Sequence, residues 1–379
     1  MPRGAAWLLI AVQAIGAPAI AGASPLTRAS PLTRASPLTR DGALTRDGAK
    51  AAPYRWQLPR GFPTPAVPAD NPMSEAKVAL GQRLFFDSRL SVTGRSSCAS
   101  CHDPARSFSD GRPVAIGALG EALPHNALAL VNVAYNISFG WTKHTVRSLE
   151  AQMLEPLLNQ HPVEIGLAGR EAALIAALSA DPAYAAAFAA AYPGDAAPVS
   201  FEHIVKAIAS FERTLISGRS LFDRYVFDGE HEALSAEAKR GMALFFSSRV
   251  GCSGCHSGFD FAGNWRDSEG ETGRASFARN GTSEEAVRVP TLRNIALTAP
   301  YMHDGRFATL EAVLDHYSGL AQRARASGGR HYDRRLPRSA LTSAERAELI
   351  AFLSSLTDES FVWRFAGSPH TPADTPPEH

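Results

Sequence analysis

The chain of 379 residues carries a formal net charge of +1, with 20% charged and 45% hydrophobic residues. This balance describes an ordinary globular surface and excludes the strong basic bias typical of nucleic-acid-binding proteins. The four cysteines all fall in two short motifs, so none is left over for a disulfide framework.

The first 70 residues predict an exported protein with a tether ahead of its folded part. Residues 1–23 contain Arg3, an apolar run and a small-residue exit, which is the pattern of a secretory signal peptide. Residues 24–70 begin with repeats of Ser-Pro-Leu-Thr-Arg-Ala and predict a low-complexity disordered spacer. No later segment offers about 18 uncharged apolar residues in a row. We therefore expect a periplasmic protein with no transmembrane segment in the mature chain.

Two Cys-x-x-Cys-His motifs, Cys98–His102 and Cys252–His256, organise the rest of the chain. This spacing lets two thiols form thioethers to one haem while the adjacent histidine reaches the iron. The sequence thus predicts two covalently bound haem c groups. The predicted attachment residues and iron ligands are Cys98, Cys101, His102, Cys252, Cys255 and His256.

The alternative interpretation of such a motif is a fragment of a zinc site or a redox dithiol. A structural zinc site needs four closely spaced ligands, whereas each motif here stands alone. The sequence ahead of each motif also repeats, because Gly81–Arg89 reads Gly-x-x-Leu-Phe-Phe-x-Ser-Arg and Gly241–Arg249 repeats it. This pattern indicates an internal duplication with one haem in each half. We place the halves at residues 71–230 and 231–365, followed by a disordered tail over 366–379.

Helical periodicity dominates both halves. Apolar residues recur at helical spacing behind Ser200, a predicted N-cap, and behind a capping box at Thr342–Glu345. The fold class is therefore predicted to be mainly α, with two cytochrome-c-like domains. Long loops are expected over residues 103–126 and 257–290, where the cofactors supply the core surface that loops lack.

From roughly Asn71 to Asp358 the sequence resembles the bacterial dihaem cytochrome c peroxidase superfamily, in its MauG-like and MbnH-like branch. The segments that carry the resemblance are the two Cys-x-x-Cys-His motifs, Asn132–Asn136, Ser148–Gln152, His161–Gly166 and Pro290–Gly305. The resemblance implies a peroxide-reactive haem at the first motif. It also implies a six-coordinate haem at the second.

The resemblance implies three catalytic residues near the first haem. Glu164 would move a proton during peroxide cleavage, and Gln152 would orient peroxide or water beside it. Trp141 would stand between the haems as a relay, although Trp141–His144 departs from the family pattern and a plain buried core tryptophan is the alternative. The loop between Asp103 and Pro124 contains no histidine, which predicts an open distal side.

The ligand of the second haem decides between branches of the family. The resemblance places this ligand at Tyr317, where the true peroxidases have methionine, and His316 and Met302 are the competing ligands. A thioether is soft and favours reduced iron, whereas a tyrosinate is a hard anion that favours higher oxidation states. The resemblance also places His303 in hydrogen-bonding range of this haem.

The resemblance further implies a calcium site between the haems. Its ligands would be the side chain of Asn126 and the backbone carbonyls of Thr298 and Pro300, an oxygen set that suits Ca²⁺. For an exit route to the protein surface, Val250 stands where a surface relay tryptophan is expected. Trp265 and Trp363 are the remaining candidates for that role.

Three functions are consistent with these motifs. The first is a dihaem enzyme that reacts with hydrogen peroxide and uses a two-haem high-valent state to modify tryptophan on a partner protein. The second is a cytochrome c peroxidase that reduces hydrogen peroxide with electrons from a small c-type cytochrome. The third is a non-enzymatic electron carrier. Tyr317 favours the first function over the second, and the open first haem disfavours the third.

Overall fold

The structure is a computed structural model that describes residues 52–142, 145–263, 274–275, 287–326 and 339–366. Its elements are α1 (Glu75–Phe85), α2 (Leu149–Leu158), α3 (Glu171–Ala180), α4 (Pro182–Ala191), α5 (Phe201–Glu212), α6 (Leu221–Val226), α7 (Ala236–Phe245), β1 (Arg274–Ala275), β2 (Val287–Arg288), α8 (Leu310–Ala326), α9 (Ser343–Ser354) and α10 (Glu359–Ala366). The two strands pair antiparallel. The predicted mainly α class is confirmed. Of the described helices, none alone has the length and apolarity to cross a membrane, and only α3 and α4 together, bent by 100°, meet that test.

The two predicted helix starts are confirmed by their caps. At the start of α5, Ser200 Oγ accepts the backbone N–H of His203 at 3.2 Å. At the start of α9, Thr342 Oγ1 accepts the N–H of Glu345 at 3.2 Å, and the Glu345 carboxylate accepts the N–H of Thr342 at 2.8 Å. These bonds satisfy amide donors that the first turn of a helix otherwise leaves unpaired.

The repeated Gly-x-x-Leu-Phe-Phe sequence builds the same helix crossing in each half. A Cβ on Gly81 of α1 would lie 1.9 Å from the carbonyl oxygen of Ala207 in α5. A Cβ on Gly241 of α7 would lie 1.8 Å from the carbonyl oxygen of Glu348 in α9. Both glycines therefore let two helix backbones approach more closely than any side chain would permit.

Two hydrophobic cores follow the two halves of the sequence. In the N-terminal core, Phe85 packs edge-on against Phe211 at 5.2 Å, and in the C-terminal core Phe245 packs against Phe352 at 5.1 Å. Phe361 of α10 lies in the N-terminal core, 5.9 Å from the ring of Phe108. The last described helix therefore ties the end of the chain to the first half.

Residues 52–70 differ from the disordered spacer predicted up to residue 70. Tyr54 donates its N–H to the carbonyl of Met73 at 3.3 Å, and Phe62 is buried with its ring 4.7 Å from that of Phe259. Anchors from distant parts of the chain thus hold this proline-rich segment in place. The predicted signal peptide, residues 24–51 of the spacer and residues 367–379 of the tail lie outside the described residues.

The glycine crossings generate a stability prediction. We expect Gly81→Ala to lower the free energy of unfolding by about 1–3 kcal/mol, because the new methyl group meets the backbone of α5. Gly319→Ala is the matched control, since its Cβ would meet only the flexible side chain of Arg323 at 3.2 Å. That control should leave stability unchanged or raise it by up to about 1 kcal/mol. Urea unfolding of the holoprotein measures both, and equal stability of Gly81→Ala and wild type would contradict the close crossing.

Candidate haem sites

The first Cys-x-x-Cys-His motif forms a turn that sets its histidine against a downstream carbonyl. Cys98–Ser100 is a 3-10 helix, and the N–H of His102 donates to the carbonyl of Cys98 at 3.0 Å. His102 Nδ1 lies 2.9 Å from the carbonyl oxygen of Phe108. Because a carbonyl only accepts, Nδ1 carries the proton and Nε2 keeps the lone pair that an iron ligand needs.

The second motif repeats this arrangement. Cys252–Gly254 is again a 3-10 helix, and His256 Nδ1 donates to the carbonyl of Phe261 at 3.1 Å. Burial lowers the pKa of His102, and it lowers the pKa of His256 to about 4. Both imidazoles are therefore neutral, which is the form that binds a metal.

The residues of both motifs fit haem better than the two alternatives. Within the described residues, no three His, Cys, Asp or Glu side chains form a group that could hold a metal ion, so zinc has no support there. A redox dithiol needs a thiol of low pKa, whereas burial raises the pKa of Cys98 and Cys252, and that of Cys101 to about 11. The four thiols are free of disulfides. Two partly buried thiols and one neutral imidazole per motif are the donor set of haem c.

Glu164 lies near the first motif. Burial raises the pKa of Cys101 most strongly, and the charges of Asp110 and Glu164 raise it further. The carbonyl of Glu164 accepts the N–H of Ala118 at 2.8 Å, which joins it to the loop that follows the motif. The structure therefore brings this predicted acid–base residue to the first cysteine pair.

Gln152 lies on the helix that supports the Glu164 segment. Its N–H donates to the carbonyl of Ser148 at 3.0 Å in the first turn of α2. One turn later, the carbonyl of Pro156 accepts the N–H of Ile165, the residue after Glu164, at 3.0 Å. Pro156 and Leu157 lie in the last turn of α2, where carbonyls have no donor within the helix, and they accept the N–H groups of Ile165 and Leu167 instead.

A second carboxyl near the first motif is Glu212, which the sequence analysis did not identify. It is 4% exposed at the end of α5, and no described residue hydrogen-bonds its Oε2. Burial raises its pKa to about 8, although Arg213 opposes this effect. Its charge contributes to the raised pKa of Cys98. The available sequence signal was an acid directly after the apolar face of α5.

Tyr317 on α8 lies near the second motif. Burial raises its pKa, the nearby Cys255 and Cys252 raise it further, and Arg306 lowers it. Arg306 is itself fixed by Asp304, whose Oδ1 accepts from Nε at 2.7 Å. The structure therefore places the predicted ligand near both the second cysteine pair and Arg306.

The two competing ligands lie in different surroundings. The ring of His316 packs against that of Phe307 at 5.0 Å. Met302 has a left-handed backbone, with φ of 75°, and its carbonyl accepts the N–H of Gly305 at 3.1 Å. These contacts tie His316 and Met302 to the segment between the motif and α8, and the ligand assignment to Tyr317 stays a prediction.

Trp141 lies where the two halves meet. Its Nε1 donates to the carbonyl of Asn126 at 2.7 Å, and its ring centre is 6.3 Å from that of His303. Asn126 in turn donates its N–H to the carbonyl of His303 at 2.8 Å. The carbonyl of Trp141 accepts the N–H of Arg288 at 2.9 Å. Trp141 thus contacts both halves, as a relay between them would.

The predicted calcium ligands lie along the same junction. Asn126 Nδ2 donates to the carbonyl of Arg112 at 2.6 Å, which leaves its Oδ1 as the ligand atom in the predicted site. Thr298 and Pro300 lie in the same segment as His303, whose carbonyl accepts the N–H of Asn126. The calcium site stays a prediction.

The three residues predicted for an exit route to the surface lie in different parts of the chain. Val250 is buried in the C-terminal core. Trp265 lies outside the described residues, as does the side chain of Trp363 on α10. Both tryptophans remain sequence-based candidates.

Comparisons with known proteins agree with this geometry. Residues 75–232 match the family described as di-haem cytochrome c peroxidase. The chain is 36% identical over 313 residues to methylamine utilization protein MauG of Methylorubrum extorquens, covering 80% of this chain and 84% of that protein. It is 33% identical over 338 residues to cytochrome-c peroxidase IdrP1 of Denitromonas iodatirespirans, covering 78% and 85%. The crystal structure of a MauG-like protein associated with microbial copper homeostasis aligns with a TM-score of 0.75 at 36% identity, covering 84% of this chain and 98% of that one.

The burial of Glu212 generates a pH prediction. Its folded pKa of about 8 lies above the ordinary value of 4.5, so its contribution to stability is full below that ordinary pKa and falls as pH rises to the folded one. The fall should be roughly 1.4 kcal/mol per pH unit. We expect Glu212→Gln, which keeps a neutral side chain of the same shape, to lose less stability than wild type between about pH 5 and pH 8. Urea unfolding across this range measures the difference. Glu237→Gln, an exposed substitution in α7, is the control, and parallel profiles for Glu212→Gln and wild type would refute the prediction.

Proposed function

The chain belongs to the di-haem cytochrome c peroxidase family, and we propose that it uses hydrogen peroxide to oxidise a partner protein at tryptophan. As a member of this family it is a haem-dependent oxidoreductase with two haems. The relatives bear both MauG and peroxidase names, so the names do not choose between the two activities. The choice between these activities rests on the residues that differ between the two haem sites.

The bound haems supply the iron that reacts with peroxide and two centres that hold oxidising equivalents. Cleaving the O–O bond requires a proton to move from the inner to the outer oxygen. Glu164 carries this proton, and Gln152 orients the peroxide. A partly desolvated carboxyl suits this step near neutral pH. The contacts of Ala118 and Pro156 with the Glu164 segment support its fixed position.

The single observation that carries the proposal is the position of Tyr317. It lies near the second cysteine pair, where burial and the two cysteines raise its pKa and Arg306 lowers it. A tyrosinate there offsets added positive charge on the metal, whereas a thioether favours the reduced state that a peroxidase uses to store an electron. Burial opposes the anionic form of this side chain and Arg306 favours it, so in the proposal the positive charge of the bound iron would stabilise the tyrosinate. The second site is therefore suited to share oxidising equivalents with the first.

Trp141 links the two sites in this proposal. Its indole is large and oxidisable, and it contacts Asn126 in one half and His303 in the other. It would relay oxidising equivalents between the two haem sites. A calcium ion held by Asn126, Thr298 and Pro300 fixes the same junction.

The remaining assignments follow the same proposal. The haems are attached through the four thiols, and attachment takes place after export to the periplasm by the signal peptide of residues 1–23. The substrates are hydrogen peroxide and a periplasmic protein. The alternative activity, reduction of peroxide with electrons from a small c-type cytochrome, is favoured by the peroxidase name of one relative.

The role of Glu164 leads to a kinetic prediction. We expect Glu164→Gln to slow the reaction of the resting protein with peroxide by roughly 10²–10⁴-fold, because the amide cannot move the proton. Stopped-flow absorbance of the first haem measures this rate. Glu121→Gln is the control, since this exposed carboxylate accepts the N–H of Val163 beside Glu164 but has no catalytic role. A normal rate in Glu164→Gln would remove it from the mechanism.

The role of Tyr317 tests the proposed function itself. After one equivalent of peroxide, we expect the Mössbauer signals of both irons to change in wild type and only that of the first iron in Tyr317→Met. His316→Gln, at the adjacent competing ligand, should behave as wild type. If wild type and Tyr317→Met give the same spectra with a change at one iron, the protein is a cytochrome c peroxidase instead.

A further inference from the structure

The two turns that accept the histidine hydrogen bonds have an unfavourable backbone. Phe108 has φ of 61° and Phe261 has φ of 49°, and Ser107 before the first phenylalanine has φ of 56°. Bulky side chains in the left-handed region are disfavoured, so such turns persist only where surrounding contacts hold them. Contacts from outside each turn are therefore expected to matter for the carbonyl that each histidine meets.

Each turn is held by an asparagine from the other half of the chain. Asn294 Nδ2 donates to Ser107 Oγ at 2.9 Å, beside the carbonyl of Phe108 in the first half. Asn132 Nδ2 donates to Asp260 Oδ1 at 2.9 Å, beside the carbonyl of Phe261 in the second half. Ser107 and Asp260 occupy the same place in the duplication, one residue before the phenylalanine. The two hydrogen bonds are therefore reciprocal across the halves.

The asparagines are themselves equivalent residues. Each is fully buried, has φ of 58° and precedes a 3-10 helix, Val133–Tyr135 or Ile295–Leu297. The surrounding sequence repeats as Leu-x-Asn-x-Ala at 130–134 and 292–296. Asparagine tolerates the left-handed region better than other non-glycine residues. This repeat is the sequence signal for the pair.

Ser217 joins the two asparagines. Its N–H donates to Asn132 Oδ1 at 2.8 Å, and its carbonyl accepts from Asn132 Nδ2 at 2.9 Å. Its Oγ lies 3.2 Å from Asn294 Nδ2. Asn294 Oδ1 also accepts the N–H of Asp358 at 2.8 Å. Polar groups this deeply buried are costly to leave unpaired, so these bonds hold each asparagine side chain in place.

We propose that Asn132, Ser217 and Asn294 form an interhaem clasp, through which each half of the chain positions the histidine ligand of the opposite half. The connection runs from His102 through the Phe108 turn to Asn294, across Ser217 to Asn132, and through the Asp260 turn to His256. The clasp residues are positioning residues, because they reach the histidines only through backbone turns. The inference depends on the two haem sites and not on which molecule the enzyme oxidises.

The hydrogen bond from Nδ1 gives the clasp a measurable effect. A well-held carbonyl acceptor raises the basicity of a metal-bound imidazole and stabilises the oxidised metal. Loosening the turn weakens that bond, so the midpoint potential of the haem at that histidine should rise. Because each asparagine bonds the turn of the opposite half, the expected pattern is specific. Substituting the asparagine of one half should shift the midpoint potential of the haem in the other half.

The test is a spectroelectrochemical titration of holoprotein variants in which the two haems are resolved by absorbance and electron paramagnetic resonance. Glycine keeps the left-handed backbone while removing the side chain. We expect Asn294→Gly to raise the potential of the first haem and Asn132→Gly that of the second. In each variant, the haem of the substituted half is the internal control.

A second variant cuts the same bond from its other end. Ser107→Gly should shift the first haem in the same direction as Asn294→Gly, and the double variant should shift it no further than either single one. If Asn294→Gly does not fold, Ser107→Gly still tests the clasp. The Mössbauer comparison of wild type with Tyr317→Met depends on neither variant, so failure of the clasp can be distinguished from failure of the proposed function. For the two asparagine variants, a shift confined to the haem of the substituted half, equal shifts of both haems or no shift would each overturn the clasp. Additive shifts in the double variant, or no shift in Ser107→Gly, would also overturn it.

Discussion

The hydrogen bond from each motif histidine to a phenylalanine carbonyl is the constraint on which the rest of the structure depends. It fixes the protonated nitrogen, and it leaves Nε2 for the iron. The carbonyl is presented by a left-handed turn, and the phenylalanine ring of that turn is buried in the core of its half. In each half, the packing of the core and the orientation of the motif histidine therefore both depend on one phenylalanine, Phe108 or Phe261.

Duplication explains why the two haem sites are alike on the histidine side. The glycine crossings, the Leu-Phe-Phe helix ends and the 3-10 cysteine turns all occur twice. The sites differ in the side chains near their cysteine pairs, with Glu164 near the first pair and Tyr317 near the second. In the proposed function, these few side chains would give two similar scaffolds different roles. Trp141 and His303 lie where those two scaffolds meet.

Features formed by residues close together in the sequence can be predicted from it, whereas contacts between distant residues cannot. The cap at Ser200, the capping box at Thr342 and both haem motifs involve neighbours within a few residues, so their spacing alone predicts them. Ser217 forms a hydrogen bond with Asn132, 85 residues away in the sequence. No hydrophobic periodicity predicts a contact of this kind. The segment around Phe62 was predicted to be disordered because its anchor, Phe259, lies in the other half. Glu212 needed its burial to be known before its carboxyl could be recognised as unusual.

We propose that one haem site is open and that the other is closed by Tyr317. Electron paramagnetic resonance of the resting ferric holoprotein during a cyanide titration tests it most directly. The account predicts one high-spin haem that binds cyanide without prior reduction and one low-spin haem whose signal does not change. Two low-spin haems, with cyanide binding only after half-reduction, would contradict it.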